Sequence, residues 1–207
     1  KFKGILGINI GKNFDTPINK AVNDYLICFR KSYLFASYIV LNVSSPNTKN
    51  LRKLQEGESL DELLKIIKSE QKVLHKKYGK YVPFLLKISP DNTNSQLSVI
   101  CKLLIKYKID GVIATNTTLS SAKVEISPMR NELGGLSGLP LRSSSLRTLK
   151  FLKLSLNGKI PIIGVGGVMS GKDGKEKVDN GAELIQIYSG LIFKGHKLIY
   201  ELCREIG

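Results

Sequence analysis

The chain has 207 residues, 42% of them hydrophobic and 24% charged, which is room for one domain with a substantial core. Lys and Arg number 32 against 17 Asp and Glu, a net charge of +15, and such a field favours anionic ligands, acidic membrane surfaces or nucleic acid. The basic residues are dispersed, from Lys49, Arg52 and Lys53 through Lys65, Lys68 and Lys72 to Lys80, and no basic stripe carries interleaved aromatics. That argues against a nucleic-acid module and for a solvated, lysine-rich surface. Cys28, Cys101 and Cys203 are far apart and lack CxxC or Cys/His spacing, so neither a metal site nor a disulfide framework is indicated. Each lies in an apolar helical pattern and is expected as a buried thiol. The apolar stretches are too short to span a bilayer, and no signal peptide is visible. The chain opens on Lys1 and runs straight into a strand, as an excised part of a longer protein would.

In chain order, Gly4 through Gly11 reads as a strand, with Asn9 a polar residue near its carboxyl end. Asp15 or Thr16 can cap the next helix, with Pro17 in its first turn. Val22, Leu26, Phe29 and Tyr33 give that helix its apolar spacing to about Ala36. Tyr38-Ile39-Val40-Leu41 is a buried strand that ends in Asn42-Val43-Ser44-Ser45-Pro46-Asn47-Thr48. Pro46 cannot donate a ladder hydrogen bond, so pairing stops there. The polar residues 46–58 form either a loop over a pocket or a plain connector. Ser59 starts the second helix, with Glu62 completing a capping box. Val82 through Ile88 is the next strand, and Lys87 is its anomaly. A cation in a buried run must snorkel out or meet an anion.

Asn94 or Ser95 starts a helix through Leu97, Ile100, Leu104 and Tyr107. Strand Gly111–Ala114 again ends in polar residues, Thr115-Asn116-Thr117-Thr118, and an irregular stretch leads to Gly134-Gly135-Leu136-Ser137-Gly138. There follow a helix over 143–154, strand Ile160–Val165 with Gly166-Gly167, a helix over 172–180, strand Glu183–Ile187 with Tyr188-Ser189-Gly190, and a last helix from Lys197. About six strands alternating with helices predict an α/β fold with a parallel sheet, the pattern of a (β/α)₈ TIM barrel of which about six units are present.

Polar residues recur at the carboxyl ends of these strands: Asn9, Asn42 and Ser45, Lys87, Thr115 and Asn116, Gly166 and Gly167, Tyr188 and Ser189. In a TIM barrel those ends meet at one mouth. Gly-Gly after one strand and Tyr-Ser-Gly after the next suit backbone contact with phosphate, and Ser137-Gly138 can add donors. His75 and His196 are the only histidines, each expected at the surface or a helix end, so no conventional triad is available. No acidic cluster sits at the strand ends to support metal or two-carboxylate chemistry. What remains is an amide- and hydroxyl-rich pocket with one lysine, suited to a cofactor that carries the reactivity.

Asn42 through Thr48, GVIATNTT at 111–118, GGLSG at 134–138, IPIIGVGGV at 160–168 and Gln186-Ile187-Tyr188-Ser189 together resemble the dihydroorotate dehydrogenase family, in order and over nearly the whole chain. Ser45 stands where the soluble class has Cys, so the resemblance is to the membrane-associated, quinone-reducing class 2. It implies an FMN-binding TIM-barrel domain over 1–207 that oxidises dihydroorotate to orotate in pyrimidine synthesis. Ser45 would be the base for the C5 proton, with the C6 hydride passing to flavin. Asn42, Asn47, Asn116 and Thr117 would bind substrate. Asn9, Asn42, Lys87 and Thr115 would contact the flavin and its ribityl chain, and Ser137, Gly138, Gly166, Gly167, Tyr188 and Ser189 its phosphate end. Ubiquinone would be the electron acceptor. Membrane association would come through an amino-terminal part without counterpart here, and the eukaryotic branch implies the mitochondrial inner membrane.

There are departures from the family pattern. Its first two barrel strands have no counterpart, and six strands cannot close, so instability or inactivity of the chain alone and pairing at an open edge are expected. Asn50 replaces a lid glycine, Leu139 follows Ser137-Gly138 in place of Lys, and Gly174 sits where Ala is preferred, at about 1 kcal/mol. The competing readings are a non-catalytic flavin- or ligand-binding remnant of the fold, another phosphate-binding TIM-barrel enzyme, and a basic nucleic-acid or membrane-surface protein.

Overall fold

The computed structural model describes residues 3–120 and 132–207. Six strands form one parallel sheet in the order β1-β2-β3-β4-β5-β6. They are β1 Gly7–Ile10, β2 Tyr38–Asn42, β3 Phe84–Ile88, β4 Gly111–Ala114, β5 Ile162–Val165 and β6 Leu184–Gln186. Helices α1 Ala21–Ser32, α2 Gly57–Tyr78, α3 Asn94–Lys106, α4 Arg142–Leu156 and α5 Gly171–Asp179 make the crossovers, and α6 Ser189–Lys194 and α7 Lys197–Ile206 follow β6. Each strand pairs with the next, and among the described residues β6 does not return to β1. The result is an incomplete TIM barrel with two free edges.

The two faces of the sheet differ because side chains alternate along a strand. One face carries Ile39, Leu41, Phe84, Leu86, Ile88, Val112 and Ile162, which join the helices in one large core. Phe29 of α1 meets Phe84 edge-on at 5.8 Å. The other face carries Val40, Leu85, Ile113, Ile163 and Val165, a small apolar floor. The helices fill the first face, so the polar strand ends are left to the second.

Several boundaries move, each for a local reason. Asp15 and Thr16 do not cap α1; a 3₁₀ turn, Ile18–Lys20, leads into it behind Pro17. Its apolar spacing carries past the last turn, and α1 stops at Ser32. The Ser59–Glu62 box is also absent: α2 begins at Gly57, because a 3₁₀ segment, Leu51–Gln55, runs almost directly into it. A capping box does form at α3, between Thr93 and Gln96. Helix α6 was not expected. Of the cysteines, Cys101 is buried, Cys28 half-buried and Cys203 exposed, since α7 buries only the stripe of Leu198 and Leu202. Most of the irregular stretch before Gly134 lies outside the described residues.

Two family departures find a physical account. Asn50 sits at φ 60°, left-handed backbone that asparagine tolerates best after glycine. Gly174 faces α7, where a Cβ would meet Leu202 and come 3.3 Å from Ile206. The missing methyl therefore sets how closely α5 and α7 approach, beyond any helix-propensity cost.

Candidate functional site

Register decides which polar residues can meet. Asn42 pairs with Lys87, Lys87 with Ile113, and Ile113 with Ile163, so Asn42 and Lys87 stand in one row with Ile113 and Ile163 of the apolar floor. Asn9 pairs with Val40 and lies on the same face one row lower, on the open edge, where it is exposed. Thr115 follows two residues after Ile113 and is buried.

Asn42 and Asn116 are tied directly. Asn116 Nδ2 donates to Asn42 Oδ1 at 3.0 Å and to Ser44 Oγ at 3.1 Å, while Asn116 Oδ1 accepts from the Thr117 amide at 2.9 Å. Ser44 is fully buried, and its hydroxyl lies 2.7 Å from the Lys87 carbonyl oxygen. Behind them the Tyr25 hydroxyl donates to the Asn42 carbonyl at 2.8 Å; burial pushes the Tyr25 phenol pKa up and keeps it a donor. The ends of β2, β3 and β4 are thus one hydrogen-bonded unit. Ser44, which the sequence reading passed over, is its centre.

The loop after β2 is anchored rather than free. Leu51 and Leu54 are buried, and Gln55 Oε1 accepts from the Ser89 amide and from Asn92 Nδ2, both at 2.9 Å. Arg52 donates to the carbonyls of Ser44 at 3.2 Å and Thr117 at 3.0 Å and pairs with Asp91 at 2.6 Å. It joins three loops and is no solvated surface cation. Its sequence looks like one more basic residue in a basic stretch, and only the fold brings its three acceptors together.

Asp91 also accepts from the Thr118 hydroxyl and, at 3.0 Å, from the Leu119 amide. Burial pushes its carboxyl pKa up, but Thr118, Leu119 and Arg52 outweigh burial and hold it below the ordinary range. A carboxylate with a lowered folded pKa stabilises fully above its unfolded pKa of about 3.9 and loses that contribution as pH falls through the folded value. Thermal melts should therefore show Asp91→Asn less stable than wild type at pH 6–7, with the gap closing as the pH falls below about 4. A gap that does not narrow as the pH falls from 6 through the acid range would overturn the assignment.

Beside this unit lies a cavity of about 500 Å³. Its lining includes Lys87, Thr115, Asn116 and Thr117, then Ser137, Gly138 and Leu141, then Gly166, Gly167, Tyr188 and Ser189, with Val165, Val168 and Ile187 as apolar members. Lys87 is half-buried, and among the described residues it makes no ion pair. Desolvation lowers its pKa, and no anion offsets that. Of the two alternatives for this cation, the structure shows an ammonium at a cavity wall with no counter-ion among the described residues.

Part of the lining is backbone. Gly166 and Gly167 adopt φ of 105° and 72°, conformations closed to most side chains. A Cβ at Gly166 would lie 2.8 Å from Leu141 Cδ2, and one at Gly167 would lie 2.6 Å from the Arg142 nitrogen, at the start of α4. Ser189 Oγ donates to Ser137 Oγ at 3.0 Å, which links the loops after β4 and β6. The antiparallel bridge between Thr118 and Leu136 holds the GGLSG loop in place, and a Cβ at Gly135 would strike Thr117 and Pro46.

Ser45 and Asn47 fall outside the first cavity. Ser45 is half-buried in the turn after β2, and its Oγ accepts from the Asn47 amide at 3.2 Å. Asn47 lines a second cavity of about 900 Å³ with Pro46, Thr118 and Gly134, and the two cavities share Ser137, Gly138 and Ser189. The histidines take no part: His75 packs edge-on against Tyr81, and His196 against Tyr200.

The likeness to known proteins extends along the chain. A family model described as dihydroorotate dehydrogenase matches residues 1–207. A dihydroorotate dehydrogenase (quinone) from Methylobacillus flagellatus is 54% identical over 207 residues, covering 100% of this chain and 61% of the relative. One from Wigglesworthia glossinidia brevipalpis is 57% identical over 203 residues, covering 98% and 60%. The chain thus spans about 60% of the length of the curated relatives it matches. The crystal structure of a ligand-free DHODH from Eimeria tenella superposes with a TM-score of 0.90 at 32% identity, covering 98% of this chain and 58% of that one. The complex of the Eimeria tenella protein with ferulenol gives 0.89 at 31%, covering 98% and 57%. A match that runs through every strand end, with the same backbone path, leaves no part of this chain to another ancestry: it belongs to the dihydroorotate dehydrogenase family.

Proposed function

We propose that the protein oxidises dihydroorotate to orotate in pyrimidine synthesis, with FMN as its cofactor and a quinone as the electron acceptor, and that residues 1–207 form its FMN-binding domain. The observation that carries this reading is Lys87, a half-buried cation without a counter-ion among the described residues, in one cavity with Asn116 of the amide unit and the Gly166-Gly167 backbone. The residues fit the cofactor. A flat ring that gains negative charge on reduction matches Lys87, and a phosphate matches backbone donors at positive-φ glycines beside the start of α4. Bound FMN would supply the hydride-accepting chemistry.

The chain's own residues would do the rest. Lys87 would stabilise developing negative charge at the ring, while Thr115 and Asn9 would contact the ring and its chain. Ser137, Gly138, Gly166, Gly167, Tyr188 and Ser189 would hold the phosphate end. Amides present a donor and an acceptor together, as a pyrimidinedione edge needs, which suits Asn42, Asn47 and Asn116, with Thr117 beside them. Ser45 would take the substrate's C5 proton. Its Oγ accepts from the Asn47 amide, and its own hydroxyl proton would pass to a relay, a neighbouring threonine hydroxyl or water.

The relatives' name supports a quinone-bearing membrane as the place of work, with membrane contact made by the part of those relatives that these 207 residues do not match. Relatives from Methylobacillus and Wigglesworthia are bacterial and give no support to the mitochondrial address that the eukaryotic branch implied. Among the described residues no helix is long and apolar enough to cross a membrane. The full-length protein should purify yellow and bleach on anaerobic addition of dihydroorotate. Flavin without bleaching would favour the non-catalytic remnant, and a protein with no flavin affinity would end the proposal.

A further inference from the structure

Lys177, in α5, is a second buried lysine, and nothing in the reaction described above uses it. It is 1% exposed. Its aliphatic stem passes β5 at Gly164, where a Cβ would stand 3.1 Å from Lys177 Cδ and 3.3 Å from Lys177 Cβ. Glycine in a strand interior is unfavourable by propensity; here it opens the path by which the lysine reaches the far side of the β5 loop. There Lys177 Nζ donates to Ser145 Oγ at 2.8 Å. Ser145 Oγ lies 2.9 Å from the Gly166 carbonyl oxygen and 3.0 Å from that of Arg142. An ammonium has no acceptor capacity, so the serine oxygen accepts from Lys177, and its single proton goes to a carbonyl. A trans peptide points its N–H away from its C=O. Holding the Gly166 carbonyl on Ser145 therefore turns the Gly167 N–H to the opposite side.

The nearby carboxylates do not neutralise Lys177 by contact. Asp173 and Glu176 are both paired with Arg142, at 2.7 and 2.9 Å, and neither pairs with Lys177 within salt-bridge distance among the described residues. A buried cation so placed is costly unless something nearby uses its field.

We propose that Lys177 is a positioning residue for the phosphate end of the cavity: through Ser145 it fixes the Gly166-Gly167 peptide as a donor to phosphate, and its charge strengthens that cradle from behind. This rests on the reading of the cavity as a flavin phosphate site.

The test compares FMN with riboflavin, which lacks only the phosphate, on the deflavinated full-length protein by flavin-fluorescence titration. Wild type should prefer FMN. Lys177→Met should weaken FMN about tenfold or more and leave riboflavin within about twofold. Lys177→Gln, which keeps a donor for Ser145 without the charge, should fall between. A wild type with no preference for FMN ends the phosphate-site reading itself. A normal preference in wild type that Lys177→Met retains, or a parallel loss of both ligands, overturns the role of Lys177 alone. Should both variants fail to fold, the pH dependence of the wild-type preference decides. Burial lowers the Lys177 pKa to about 8, with Glu176 and Asp173 opposing and Arg142 adding to the shift. These are the charges acting on it from α5 and α4, and β5, Ile162–Val165, carries no titratable residue. The preference for FMN should then decline as pH rises through about 8, a range in which the phosphate is already fully ionised, its second pKa being about 6. A flat ratio from pH 7 to 9.5 would overturn the proposal.

Discussion

Ser45→Ala should slow reduction of the bound flavin by dihydroorotate by roughly 10²–10⁴-fold, the usual worth of a positioned general base. Flavin content should stay the same, because Ser45 lies outside the wall of the cavity that would hold the cofactor. The structural cost should be small. Alanine loses the bond between Ser45 Oγ and the Asn47 amide, about 0.5–1.5 kcal/mol, and the turn keeps its anchors through Arg52 and Gln55. Stopped-flow bleaching under anaerobic conditions separates this from a binding defect: the limiting rate falls while the substrate dependence is little changed. Ser45→Cys should restore part of the rate and make it rise with pH toward the thiol's ordinary pKa of about 8.5. Near-normal reduction by Ser45→Ala would remove Ser45 from the chemistry.

Lys87→Met should separate stability from function. In the flavin-free protein Lys87 is a partly desolvated charge without an ion-pair partner among the described residues, and its folded pKa is lowered. Below the lowered folded pKa both states carry the proton and the lysine opposes folding in full; between that value and the unfolded lysine pKa of about 10.4 the unfolded state binds more protons, so the penalty fades as pH rises through that window. Methionine matches its length and carries no charge, so flavin-free Lys87→Met should melt at or above the wild-type temperature near pH 7, and the difference should shrink toward pH 10. Flavin reduction should fall by about 10²–10³-fold, as for loss of a preorganised charge stabiliser. Calorimetry of the flavin-free protein and stopped-flow reduction of the flavin-bound one give the two readings. A variant that is markedly destabilised without flavin would show that Lys87 serves the fold and not the ligand.

The motif after β2 shows where sequence reading reaches its limit. The run of Asn, Ser, Pro and Asn announces a polar strand end, because proline stops the ladder and amides remain. Which serine is buried does not follow from that run. Ser44 and Ser45 are adjacent and chemically identical. The pleat turns Ser44 inward against Lys87 and Asn116 and leaves Ser45 in the turn beside Asn47. Helix starts were the least legible part. Ser59 with Glu62 satisfies a local capping rule, yet burial of Leu51 and Leu54 draws the chain into a 3₁₀ segment and starts α2 earlier. Apart from Lys87, whose place in a buried strand marks it, lysines and arginines were legible only as a total. Arg52 and Lys177 look like their solvated neighbours, and acceptors far along the chain separate them from the rest.

By itself the sequence determined the alternation of strands and helices, the polar carboxyl ends and the family. Each of these depends on periodicity or on short motifs, which contacts within a few residues control. Only the tertiary structure decided which polar groups share a wall: Asn116 with Asn42 and Ser44, Arg52 with Asp91, and Lys177 behind Gly166. The physical reason is register. In a parallel sheet each strand's neighbour arrives after a crossover helix, and a shift of one residue would turn every inward side chain outward.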